Sequence, residues 1–98
     1  MGTRATIQFK DRGDIFYIYR GHDGCPENVL ADIEKVIRDV KGRWSGAETE
    51  LLVTCLLMYA NNPNSRIPDY SITSSFHGDE SYRYYVEWAG NGWTVKVE

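Results

Sequence analysis

Residues 15–42 read IFYIYRGHDGCPENVLADIEKVIRDVKG, and their hydrophobic period changes half-way along. Over 15–20 both alternating sets are apolar or aromatic until Arg20 closes the run, the mark of a strand inside a sheet. Over 26–41, Val29, Leu30, Ile33, Val36, Ile37 and Val40 return at helical spacing and make one stripe, with Asp32, Glu34, Lys35, Arg38, Asp39 and Lys41 on the other side. Pro26 suits the first helical turn, where its missing N–H costs nothing. Glu27 suits the positive end of the helix dipole, Arg38 and Lys41 the negative end, and Gly42 predicts the stop. Between strand and helix, Gly21 to Gly24 predict a turn.

On the N-terminal side, TRATIQFK at 3–10 alternates strictly: Ala5, Ile7 and Phe9 on one face, Arg4, Thr6, Gln8 and Lys10 on the other. DRGD at 11–14 then closes a hairpin with 15–20. On the C-terminal side, SGAE at 45–48 is a capping box, and the helix it opens carries LLVTCLLMYA at 51–60, apolar almost all round. A helix of that kind is buried in its own fold or in a partner. In a chain of 98 residues the excess apolar surface points to a homodimer through 46–60. NNPNS at 61–65 ends it. Strands follow at 69–76 (Tyr70, Ile72 and Phe76 on one face), 81–88 (Tyr82, Tyr84, Val86 and Trp88 against Arg83, Tyr85 and Glu87) and 93–97. HGDE at 77–80 and Asn91-Gly92 are read as turns, the latter a strong hairpin pair.

The order β-β-α-α-β-β-β predicts an α+β fold: an antiparallel sheet of about five strands with two helices packed on one face, forming a single domain over 1–98. Ala5, Ile7, Phe9, Tyr84, Val86, Trp93 and Val95 would meet the helices. Arg4, Gln8, Lys10, Arg83, Tyr85, Glu87, Thr94 and Lys96 would line a polar second face.

Bulk composition narrows the function. A net charge of −3 without a basic run argues against nonspecific nucleic-acid binding. No apolar run approaches the roughly 20 residues of a membrane span, and MGTRATIQFK holds no signal-peptide core, so the expected location is the cytoplasm. There, the two cysteines, Cys25 and Cys55, are expected as free thiols. No motif asks for a cofactor.

Four kinds of chemistry are open to the loop residues. A thiol site would use Cys25 at a helix start, His22 as base and Asp23 as its orienter; in the plain reading Asp23-Gly24 makes a turn and Cys25 precedes the helix. A metal site would gather His22, Asp23, His77 and Asp79, residues that two ordinary turns also explain. A nucleotide or cyclic-nucleotide pocket would set phosphate on the helix start behind Gly21 and Gly24, with Arg20 as counter-charge and Tyr17 or Tyr19 stacked on a base; Asp23 would oppose an anion there. Protein–protein inhibition would use the aromatic strands, with Tyr and Arg as anchors. The carboxylates of Asp32, Glu34 and Asp39, or Asp79 and Glu80, could then imitate phosphates, unless they are ordinary solvated charges. The last class accounts for more of the sequence than the others. Its contact candidates are Arg20, His22, Asp23, Arg83 and Tyr85, with no catalytic or metal residue assigned.

Met1 to Arg4, then Tyr19, Arg20, Asp23, Gly24 and Pro26, with SYRYYVEW at 81–88 before a tight hairpin, resemble a family of small phage, prophage and mobile-element proteins. Many of these begin Met-Gly-Thr-Arg and carry Tyr-Arg-His-Trp-Asp-Gly-Tyr-Pro. Here Gly21-His22 stands for His-Trp, and Cys25 for the second Tyr, so no role of those family residues is carried over. The family has no settled general activity. The resemblance implies a mobile-element setting in a host bacterial cytoplasm. There, small acidic proteins often block host defence, anti-CRISPR proteins among them, by binding a defence component.

Overall fold

The computed structural model describes residues 3–11, 13–43, 49–61, 68–90 and 92–98. Its elements follow the expected order: β1 (Ala5–Lys10), β2 (Ile15–Arg20), α1 (Pro26–Arg43), α2 (Thr49–Ala60), β3 (Tyr70–Thr73), β4 (Tyr82–Trp88) and β5 (Trp93–Val97). The fold is α+β, a five-stranded sheet in the order β3-β2-β1-β4-β5. Pairing is antiparallel except between β1 and β4, which run parallel with Ala5 opposite Tyr82 and Phe9 opposite Val86. The sheet is mostly antiparallel, as the sequence predicted, with one parallel pair that makes it mixed.

The two-residue period sets the faces. Ala5, Ile7, Phe9, Ile18, Tyr70, Tyr84 and Val86 are buried towards the helices, joined by Val29, Ile33, Val36 and Val40 of α1 and Leu52, Val53 and Leu56 of α2. Trp93 and Val95 pack at the margin of this core. Ile72, read as sharing a face with the buried Tyr70, is 71% exposed. It lies on β3, the edge strand, opposite the fully buried Ile18 of β2.

The turn at 11–14 uses Asp11, whose carboxylate accepts the N–H groups of Gly13 and Asp14 and the hydroxyl of the buried Thr49 at the start of α2. At the other end of α2, the Asn61 side chain bonds the backbone N–H and C=O of Tyr70 at 2.6 and 3.1 Å. Helix α1 runs past Gly42 to Arg43, so Gly42 does not end it. The capping box at 45–48, residues 62–65 and Asn91 lie outside the described residues. The hairpin that Asn91 belongs to, β4 to β5, is formed, with Ala89 N–H on Gly92 O at 2.8 Å.

The β3–β4 connection departs most from expectation. The strands are not neighbours, so the turn read at 77–80 does not join two paired strands. Because β3 and β4 run the same way, residues 74–81 must return across β2 and β1. Three strand spacings of about 4.8 Å make roughly 14 Å of sideways travel. Eight extended residues span at most about 29 Å, so the chain crosses without a helix. It crosses on the face opposite α1 and α2, as a strap.

Candidate functional site

The junction between β2 and α1 is a built corner. Gly24 donates its N–H to Thr3 O at 2.8 Å, and its carbonyl accepts the buried Tyr84 hydroxyl at 2.7 Å. A Cβ on Gly24 would lie 2.6 Å from the Ala5 Cβ and 3.0 Å from Thr3 O, so the position has no room for a side chain. Asp23, not a glycine, takes the left-handed backbone, with φ 53°. Asn28 steadies it by donating to Asp23 O. Cys25 O accepts the N–H groups of Asn28 and Val29 and so opens α1.

Arg20 was expected beside an exposed helix start. It is instead 8% exposed on the helix-covered face. Its Nε donates to His22 O at 2.8 Å, its Nη1 donates to Asp32 at 3.2 Å, and its guanidinium carbon lies 4.8 Å from the Tyr70 ring centroid. Tyr70 also donates its hydroxyl to Asp32, at 2.7 Å. Burial first, and then the Asp32 carboxylate beside it, push the Tyr70 phenol well above the ordinary range, so it stays a donor. Asp32 is thereby engaged in an internal ion pair, which corrects its reading as a free phosphate mimic.

The remaining loop candidates separate. His22 Nε2 stands 3.0 Å from Asp69 Oδ1. The Cys25 thiol instead meets Glu27 and Asn28, at 3.6 and 3.2 Å. The His22–Asp23–Cys25 relay that a thiol site would have needed is therefore not assembled. His77 sits across the sheet with Thr73 and Tyr19, and Asp79 pairs with Arg4 at 2.9 Å. Among the described residues no three His, Cys, Asp or Glu side chains are grouped to hold a metal ion. The nucleotide pocket also divides: Arg20 lies under the helices, while Tyr17 and Tyr19 alternate to the opposite face.

The strapped face brings the other candidates together. Phe76 of the strap lies 5.2 Å from Tyr17, edge to face, and 5.6 Å from Tyr85. The Arg83 guanidinium carbon is 4.7 Å from the Phe76 ring centroid. His77 stacks on Tyr19 at 3.8 Å with 10° between ring planes. Between these rings Glu80 seals the fully buried Thr6, accepting its hydroxyl and the Arg83 Nε–H, each at 2.9 Å. The backbone N–H groups of His77 and Gly78 also point at this carboxylate. Glu80 is consumed by these contacts and is not a free surface charge. Arg83 and Tyr85 are half-buried where the sequence placed them, on the second face.

Phe76, His77 and Glu80 were missed as parts of one site. The sequence reads 69–76 as one strand with Phe76 on the Tyr70 face, whereas β3 ends at Thr73 and Phe76 lies on the opposite face, against Tyr17 and Tyr85. No helix among the described residues is long and apolar enough to cross a membrane. No family model, curated protein or solved structure matches the chain.

Proposed function

We propose that the chain is a small non-enzymatic binding protein of phage or mobile-element type, and that it inhibits a host defence component, as anti-CRISPR proteins do, by protein–protein contact in the host cytoplasm. The resemblance at Met1 to Arg4 and at Tyr19, Arg20, Asp23, Gly24 and Pro26 supports the setting.

The observation that carries the binding reading is the ring lattice of the strapped face. Tyr17, Tyr19, Phe76, His77 and Tyr85 touch one another in two groups, with Arg83 over Phe76. Tyrosine and arginine are the residues that anchor protein interfaces. Side chains already held by their neighbours lose little freedom on binding, which raises affinity for a given contact area. Arg83 and Tyr85 are the proposed anchors. The reading includes self-association through α2, where Met58 and Tyr59 are 68% and 44% exposed.

The test is capture of a host protein in stoichiometric amount by the wild-type chain, with loss of that protein when Tyr85 is replaced by alanine.

A further inference from the structure

The strap is fastened to the sheet by the Asp79–Arg4 pair at 2.9 Å, by the Ser81 N–H on Arg4 O at 2.8 Å, and by one carboxylate that gathers four donors. The Glu80 side chain has no solvent exposure. Its Oε2 accepts the Thr6 hydroxyl and the His77 N–H, each at 2.9 Å, and its Oε1 accepts the Arg83 Nε–H at 2.9 Å. The Gly78 N–H lies 3.2 and 3.3 Å from the two oxygens. Donors thus reach it from β1, from β4 and from the strap itself. The charged and titratable groups around it are Arg83 and Tyr85 of β4, Arg4 just before β1 (paired with Asp79), His77 of the strap and Tyr19 of β2 beneath His77.

An ionised carboxylate is the one form of this side chain that suits four donors, since it only accepts. Protonation turns one oxygen into a donor, which the Thr6 hydroxyl can rotate to accept but the Arg83, His77 and Gly78 N–H groups cannot. The strap also lies on the face away from the apolar core, which is shared between the sheet and the two helices. Lifting it therefore breaks the contacts of Phe76, His77, Asp79 and Glu80 and leaves that core closed.

We infer that residues 74–81 form a releasable strap latched by Glu80: it lies on the sheet while the carboxylate is ionised, and lifts as a unit, ahead of the sheet and helices, when that charge is lost. Lifting uncovers Thr6 and Gln8 and frees the rings of Tyr17, Tyr19 and Tyr85. Burial raises the Glu80 pKa, but the bonds from Thr6, Arg83, Gly78 and His77 outweigh it and hold the group below the usual glutamate range. The latch is therefore shut at neutral pH. This device goes beyond the binding reading and holds whichever molecule meets the face.

Amide hydrogen exchange by NMR at neutral pH, on the full chain and on Glu80→Gln, tests it. The amide nitrogen of glutamine must face at least one of the donors that the carboxylate accepted. The His77 and Gly78 amides should lose protection by about ten- to a hundredfold, the scale of lost charge-assisted hydrogen bonds, while Ile7, Ile18 and Tyr84 keep theirs. Unchanged protection at His77 and Gly78, or equal loss at Ile7 and Tyr84, would overturn the inference. Should the variant fail to fold, acidification of the wild type decides. The Tyr17 and Tyr19 ring signals should shift at higher pH than the indole signals of Trp88 and Trp93, and coincident shifts would refute the latch.

Discussion

Arg20 and Tyr70 lie against each other, the guanidinium carbon 4.8 Å from the ring centroid, and both donate to the same oxygen of Asp32. This three-residue contact ties the end of β2 and the start of β3 to α1. It also explains why an arginine that looked like a ligand-binding group in the sequence is a structural one.

Removing Asp32 should therefore cost stability. Asp32→Ala leaves Arg20 buried without its counter-charge and the Tyr70 hydroxyl without its acceptor. The expected loss is about 2–4 kcal/mol, towards the lower figure because solvent reaches Asp32. Asp32→Asn keeps an acceptor at the shared position and should lose less than half as much. Urea midpoints of the two variants check this; equal losses would mean that the charge, and not the acceptor, dominates.

Two glycines in one turn should respond in opposite ways. Gly24→Ala forces a methyl group against Ala5 and Thr3, and overpacking of this kind costs about 1–3 kcal/mol. At Gly21 the nearest atom to an added Cβ is a Tyr19 ring carbon at 3.7 Å, an ordinary contact. Gly21→Ala should be neutral or slightly stabilising, through reduced freedom of the unfolded chain. Thermal melts of both variants suffice, and comparable destabilisation would contradict the close approach at Gly24.

Acid sensitivity should arise from Asp11 and Glu80. The Thr49 hydroxyl, aided by the Gly13 and Asp14 N–H groups, holds the Asp11 carboxyl below its usual range. Glu80 is lowered too, its donors outweighing burial. A carboxyl whose folded pKa lies below its unfolded one contributes stability above the unfolded value and loses it as pH falls through the folded one. Urea midpoints should hold from neutral pH down to the ordinary carboxylate range and fall below it. Asp11→Asn should be less stable at neutral pH and show a shallower acid slope; an unchanged slope would remove Asp11 from the account.

Self-association through α2 should depend on Met58. Sedimentation velocity of the wild type should show concentration-dependent association that Met58→Glu abolishes with the circular-dichroism spectrum intact. A wild type that stays monomeric at all concentrations would dismiss this contact.

Much of the architecture was legible because period decides element type and face. Ala5, Ile7 and Phe9, then Tyr84 and Val86, are buried as alternation requires, and Val29, Ile33, Val36 and Val40 as helical spacing requires. Alternation does not say which strand lies beside which. The β1–β4 parallel pair, and the strap it implies, were hidden for that reason, and HGDE read only as a turn between two strands. Arg20 shows a second limit. Its parity with Ile18 places it on the helix-covered face, but β2 is apolar on both sides, so its own pattern does not show which side the helices cover. Arg83 and Tyr85 were legible on the second face because β4 alternates cleanly. Their lattice with Phe76 was not, since it depends on a loop crossing two strands.

The binding claim meets its most direct test in quantitative capture of host proteins by three forms of the chain: wild type, Tyr85→Ala, and Lys35→Ala on the exposed side of α1. The account predicts that wild type and Lys35→Ala retain the same host protein in stoichiometric amount, and that Tyr85→Ala, folded by circular dichroism, retains less than about a tenth of it, as expected for an interface anchor. A wild type that retains no stoichiometric partner, or a Tyr85→Ala chain that retains it fully, would contradict the account.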